Sequence, residues 1–286
     1  MRISPTLTEK EVEMLNEKAA TIRRHIIKSV SQAGSGHPGG SLSSADIITL
    51  LYFHVLRLRP EEPDWQKRDR FVLAKGHAAP ALYAALAERG FFSSDDLLTL
   101  RNMGSKLQGH PDMKLTPGVE ASTGSLGQGL SVAVGMAAGA KLQNQDYGVY
   151  ALLGDGEVQE GQVWEAAMAA AHYDLDNLVA VLDYNRLQID GPVDEVMSPV
   201  PLADKWKAFN WEVLECDGHN ISALHEVLQE AQGAEYPAMI IAHTTKGKGV
   251  SYMEDEVGWH GKAPDSEMTE KALKELKMTG EAMRNE

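Results

Sequence analysis

The chain has one cysteine, Cys216, among 286 residues, so neither an internal disulfide nor a zinc-type thiolate cluster can form. Positive charge is scarce as well. The 27 Lys and Arg stand against 41 Asp and Glu, for a formal net charge of -14. That balance argues against nucleic-acid and membrane partners, both of which draw on clustered basic residues. Long apolar runs are missing too: the longest, Ile47 to Leu56, contains His54 and follows Asp46, which is too short and too polar to span a bilayer. Met1 to Lys10 lacks the basic-then-apolar layout of a secretion signal. Cytoplasmic residence is therefore the expectation. No internal repeat and no low-complexity tract occurs.

The chain does hold 43% hydrophobic residues, enough for a sizeable core. No linker divides it, and we expect one domain over 1-265 followed by an exposed, charged helical appendage over 266-286. Thr8-Glu9-Lys10-Glu11 fits a capping box, and apolar residues then recur at three and four, predicting a first helix that ends near Gly34. A second helix is predicted from Ser44 to Leu56, one from Pro80 closed by Gly90, one beginning near Ser94, and a small-residue helix over Leu130 to Leu142 that should pack closely on a neighbouring backbone. Strands are predicted at 71–74, 148–153, 178–182, 211–215 and 238–242, with helices between them at 162–172 and 221–232. The fold class implied is α/β: a mostly parallel sheet of about five or more strands with helices on both faces, its ligands gathered at the carboxyl ends of the strands.

The residues just past those five strands are all polar: Lys75-Gly76-His77, Gly154-Asp155-Gly156, Asp183-Tyr184-Asn185, Asp217-Gly218-His219 and His243 to Gly247. Gly154-Asp155-Gly156-Glu157 and Asn185 close two strands of one βαβ unit. A carboxylate and an amide oxygen at adjoining strand ends, among glycines that let a ligand reach the backbone, suit a hard cation such as Mg2+ holding a diphosphate. The plain alternative is a tight turn whose aspartate caps the following helix. Four histidines, His37, His77, His110 and His260, sit in glycine or proline settings without the short spacing of a zinc site. Neutral imidazole gives and accepts hydrogen bonds near neutral pH, which suits sugar hydroxyls and proton transfer along them.

Taken in order, Ser35-Gly36-His37-Pro38-Gly39-Gly40, Leu73 to His77, Gln108-Gly109-His110-Pro111, Thr123 to Gly129, Gly154-Asp155-Gly156 with Asn185, Thr245 to Val250 and Trp259-His260-Gly261 resemble successive transketolase signatures. The resemblance runs from about Ala19 to Lys262. It implies the thiamine diphosphate-binding fold, with thiamine diphosphate and Mg2+ as cofactors. Asp155, Asn185 and the main-chain carbonyl of Leu187 would ligate the metal. His77, Gly124, Ser125, Leu126, Gly156, Glu157, Lys246 and His260 would lie against the cofactor. His37, His110 and His260 would face substrate, and Glu160 and Glu165 would belong to an acidic relay at a subunit interface. Ser125 stands where many transketolases have proline.

A full-length transketolase resembles this chain only over its first half, and the pyrimidine-binding half of the family is not represented. The resemblance therefore implies the amino-terminal subunit of a split transketolase, moving a two-carbon ketol unit between sugar phosphates. A separate carboxy-terminal subunit would complete it, in the simplest case with two copies of each. The alternatives are the α-subunit of a 2-oxo acid dehydrogenase or decarboxylase, a 1-deoxyxylulose-phosphate synthase-like enzyme, and a non-catalytic cofactor-binding regulatory subunit. The first does not lead one to expect Ser35 to Gly40 or Trp259-His260-Gly261, and His37-Pro38-Gly39 weakens the second.

Overall fold

The computed structural model describes residues 6–282. The first helix, α1, runs Glu9–Ala33. Thr8 caps it with the reciprocal bonds of a capping box, and Gly34 ends it in the left-handed conformation at φ 60°, which a side chain would resist. A short helix not foreseen in the sequence follows, α2 at Pro38–Ser43. Its PGGSLS composition hides it, since two adjacent glycines are poor helix formers. The predicted helix over 44–56 is α3, Ala45–Leu50, continued as a π-turn over Leu51–Val55.

Five strands build the main sheet: β1 Arg70–Leu73, β2 Val149–Gly154, β3 Leu178–Tyr184, β6 Glu212–Asp217 and β7 Ala238–His243. Their order is β1-β2-β3-β7-β6 and every pairing is parallel. Two dipeptide strands, β4 Leu187–Gln188 and β5 Gly191–Pro192, form a separate antiparallel hairpin. The remaining helices are α4 Ala79–Arg89, α5 Gln128–Leu142, α6 Gly161–His172, α7 Val193–Met197, α8 Leu202–Ala208, α9 Ile221–Ala231 and α10 Ser266–Ala282. The segment at Ser94–Thr99 is a 3-10 turn rather than the start of a longer helix.

The period of two along each strand divides the core. Phe71, Leu73, Tyr150, Leu152, Val181 and Ile240 face a layer containing α1, α3, α4 and α9. Val72, Leu153, Ala180, Leu182 and Ile241 face α5, α6 and α8. Strands buried on both faces need helices on both faces, which is why they read as continuous apolar runs. The close approach predicted for the small-residue helix occurs at its first turn: a Cβ on Gly129 would stand 2.5 Å from the Ala74 Cα, whereas Gly135 and Gly139 face open space. Helix α10 is not wholly exposed; Ala272 and Leu276 are buried in the core shared with α1. The end expected for this helix near Arg284 lies outside the described residues.

Candidate active site

Parallel pairing sets the strand ends side by side. Gly154 is in register with Asp183, and Tyr184 with His243, so Asp155 and Asn185 emerge as neighbours. Asp155, Asn185, Leu187, Gly156, Glu157, Lys246 and His260 all line one cavity of about 300 Å3. A larger cleft, about 440 Å3, lies beside Gly148, Asn177 and Gln232 at the opposite end of the strands. It contains one carboxylate, Asp176, and no histidine or lysine, unlike the smaller cavity.

Asp155 is buried and accepts the amide N–H of Gly156 at 2.8 Å and that of Arg186. Burial and the nearby charge of Asp183 push its carboxyl up to about 7, so a cation beside it would relieve an unfavourable charge. Asn185 donates its amide N–H to Asp183 at 3.2 Å, and its amide oxygen accepts from the Leu187 N–H at 3.2 Å. The Leu187 carbonyl accepts from Lys246 at 2.8 Å. A carboxylate, an amide oxygen and a main-chain carbonyl along one wall form an oxygen donor set of the kind Mg2+ takes.

Beneath that wall lies a buried ion pair that sequence reasoning missed. The Lys75 ammonium contacts Asp183 and donates to the Gly40 carbonyl at 2.9 Å. Asp183 also accepts from Ser43 at 2.6 Å, from Ser44 at 3.3 Å and from Thr244. Burial alone would raise its carboxyl, but Lys75 together with the hydroxyls of Ser43 and Thr244 outweighs that and holds it below the usual range. Both residues sit at strand ends, and a polar strand-end residue was the only signal of the pairing available.

Three imidazoles meet above this pair. His37 is 5.3 Å from His77 and 5.5 Å from His260, and His77 stacks on His260 at 5.1 Å between ring centroids. Burial lowers all three: His37 to about 4, with Arg101 adding to the effect, His260 to about 3, with Lys246 adding, and His77 well below its ordinary value. They are neutral at pH 7. Lys246, lowered to about 8 by burial and by Lys75, lies 2.9 Å from His260 Nδ1. An ammonium only donates, so Nδ1 accepts and the His260 proton sits on Nε2. Close approach explains Gly39: a Cβ there would stand 2.9 Å from the Trp259 carbonyl.

Glu157 is buried with its two carboxylate oxygens held by the amide N–H groups of Gly127 at 3.0 Å and Gly154 at 3.1 Å. It thereby ties the Thr123 to Gly129 loop to the end of β2. That loop brings Gly124 against Gly76 and His110, and carries exposed Ser125 and Leu126. Glu160 lines the cavity edge, whereas exposed Glu165 on α6 does not border it.

No helix among the described residues is long and apolar enough to cross a membrane. Residues 14–282 match the family described as "Transketolase, thiamine diphosphate binding domain". The chain is 46% identical over 270 residues to an apulose-4-phosphate transketolase subunit of Phocaeicola vulgatus, covering 93% of this chain and 95% of that one. It is 43% identical to a 6-deoxy-6-sulfo-D-fructose transketolase subunit of Clostridium sp., covering 96% and 100%. Human transketolase is 42% identical, but the match spans only 43% of its length. Transketolase from Campylobacter jejuni superposes with a TM-score of 0.88 at 34% identity, over 95% of this chain and 46% of that one. On these grounds the chain belongs to the transketolase family and constitutes its thiamine diphosphate-binding domain.

Proposed function

We propose that this chain is the amino-terminal subunit of a split transketolase, active only with a separate carboxy-terminal subunit that holds the pyrimidine of the cofactor. The assembled enzyme moves a two-carbon ketol unit from a ketose phosphate to an aldose acceptor, as in pentose phosphate interconversion, and resides in the cytoplasm. The observation carrying this reading is that the oxygen donor set of Asp155, Asn185 and Leu187 shares one cavity with His77, His260 and Lys246. The names of the Phocaeicola and Clostridium relatives, both subunits of about this length, support a partner chain.

Bound thiamine diphosphate supplies the carbon nucleophile and electron sink for breaking and remaking a carbon–carbon bond. The residues of this chain do the holding. Asp155, Asn185 and the Leu187 carbonyl would take Mg2+ and through it the diphosphate, with Asp183 orienting the Asn185 amide. Gly156, Gly124, Ser125, Leu126, His77 and Lys246 would lie along the cofactor. His37, His110 and His260 would hydrogen-bond the hydroxyls of a sugar phosphate, His260 as a donor through Nε2 because Lys246 occupies its Nδ1, and His37 and His110 would pass protons along them. Helix α5 is apolar on all sides yet leaves Val132 and Leu142 exposed, as is Met168 on the neighbouring α6. Such a helix calls for cover, which supports two copies of each subunit, with Glu160 and Glu165 near the covered face.

The test is reconstitution of the purified chain with its carboxy-terminal partner, thiamine diphosphate and Mg2+. Ketol transfer from a common ketose phosphate is the expected result, and its absence from every donor tried sinks the assignment. Asp155→Asn should weaken Mg2+-dependent cofactor binding by at least roughly 10-fold, since even outer-shell partners of metal ligands carry 10- to 100-fold, while leaving the circular dichroism unchanged. Unaltered affinity by calorimetry would remove Asp155 from the site.

A further inference from the structure

Arg101 is not a strand-end residue and does not line the cofactor cavity. It follows the 3-10 turn Ser94–Thr99 in the left-handed conformation, φ 62°, with its amide N–H donating to the Leu107 carbonyl at 2.8 Å. From this tight loop the guanidinium reaches two other segments. Its Nη1 donates to Ser35 Oγ at 3.0 Å, in the loop that carries His37. Its Cζ and Nη2 each lie 3.0 Å from where a Cβ on Gly109 would stand, in the loop that carries His110. A side chain at 109 would crowd the planar group, which glycine lets lie close to that backbone. From another side Tyr83 Oη donates to the carbonyls of Gln108 at 3.0 Å and His110 at 3.1 Å. The His110 ring in turn packs on Gly124, where a Cβ would meet its Cδ2 at 2.7 Å.

We propose that Arg101 is a positioning residue: its guanidinium locks the Ser35 to His37 loop against the Gln108 to His110 loop and so fixes the two imidazoles at the substrate mouth. This rests on the reading of His37 and His110 as substrate-facing. Among the described residues no carboxylate lies within ion-pair distance of Arg101, so its charge is felt by the imidazoles instead. The charged or titratable groups acting on His37 are Arg101, His110 and Lys246, with the His77 and His260 rings packed beside it. Burial first and then Arg101 lower His110. His77 and His260 are shifted by burial and by lysine and histidine neighbours, not by Arg101, and so serve as internal controls. A fork-shaped group bridging a hydroxyl and a flat glycine backbone is a task for arginine that lysine cannot perform.

Three variants test this: Arg101→Gln, Arg101→Lys and Ser35→Ala. Imidazole titrations followed by NMR in the full-length chain should show His37 and His110 moving upward in Arg101→Gln, with His77 and His260 unmoved. Arg101→Lys keeps the charge, so its histidines should titrate as in the parent. In the reconstituted complex its KM for fructose 6-phosphate should rise by roughly 10-fold, the scale of one charge-assisted hydrogen bond, with kcat far less affected. Ser35→Ala should raise KM in the same direction without moving any titration. A purely structural arginine would produce neither the two-of-four titration pattern nor the KM-selective loss. Unchanged titration of His37 and His110 in Arg101→Gln, or a parental KM in Arg101→Lys, overturns the proposal. If Arg101→Gln does not fold, the other two variants decide it. If the parent complex shows no ketol transfer, the functional reading falls and the titrations alone judge Arg101.

Discussion

Substituting Asp183→Asn should be among the most damaging single changes in this chain. Asp183 is fully buried, and Lys75 beside it has a side chain only 1% exposed. The substitution leaves the Lys75 ammonium in the interior with the Gly40 carbonyl as its remaining partner and disturbs the bonds from Ser43, Ser44, Thr244 and Asn185. Breaking a buried pair from one side costs about 3–5 kcal/mol, because the surviving charge has lost its counter-charge. With an unfolding entropy near ~2.1 cal/mol/K per residue, 286 residues give roughly 0.6 kcal/mol/K. The expected fall in Tm is therefore about 5–8 °C, read by circular dichroism on the chain without cofactor. Removing both charges together, as Lys75→Met with Asp183→Leu, should cost much less than Asp183→Asn, since neither partner is stranded. If Asp183→Asn lowers Tm by less than about 1 °C, or the double variant is worse than the single, the pair is not held in the dry interior described and the reasoning fails.

Acid should destabilise the chain through Asp46. Burial alone would raise its carboxyl, but Arg23 at 2.5 Å and His219 at 2.7 Å bring it from 3.8 to about 2. The folded value lies below the unfolded one, so this stability is present above pH 3.8 and drains away as pH falls towards 2, on the order of 2 kcal/mol in all. Urea titrations at successive pH should show that step in the parent and lose it in Asp46→Asn. Gly129→Ala should destabilise by roughly 1–3 kcal/mol through overpacking on Ala74. Gly135→Ala in the same helix, with open space at its Cβ, should stabilise by up to about 1 kcal/mol from helix propensity. Urea denaturation giving the same sign for both would refute the close contact of α5 with β1.

Much of the fold was legible because its signals are local. The capping box at Thr8, the left-handed Gly34 and the apolar runs of β2, β3 and β7 each depend on a few consecutive residues. The βαβ unit was legible for the same reason, and with it the convergence of Asp155 and Asn185, since parallel strands joined by one helix leave little freedom in where their ends fall. Helix α2 was not legible, because its paired glycines have poor helix propensity, and only the tertiary structure shows Gly39 set where a Cβ would stand 2.9 Å from the Trp259 carbonyl. The buried face of α10 was hidden too: its charged composition reads as solvated, and only α1 reveals which side of it is inside.

By itself, then, the sequence determined the sheet, the layered helices and the polar edge where ligands gather, since periodicity and glycine placement act over one or two turns of chain. Tertiary structure alone decided which polar residues at that edge are partners. Lys75 and Asp183 are 108 positions apart, and Arg101 is 66 from Ser35. No local pattern encodes either pairing. Each exists because burial makes an unpaired charge or donor costly, and the fold had to bring the partners together before that cost could select them.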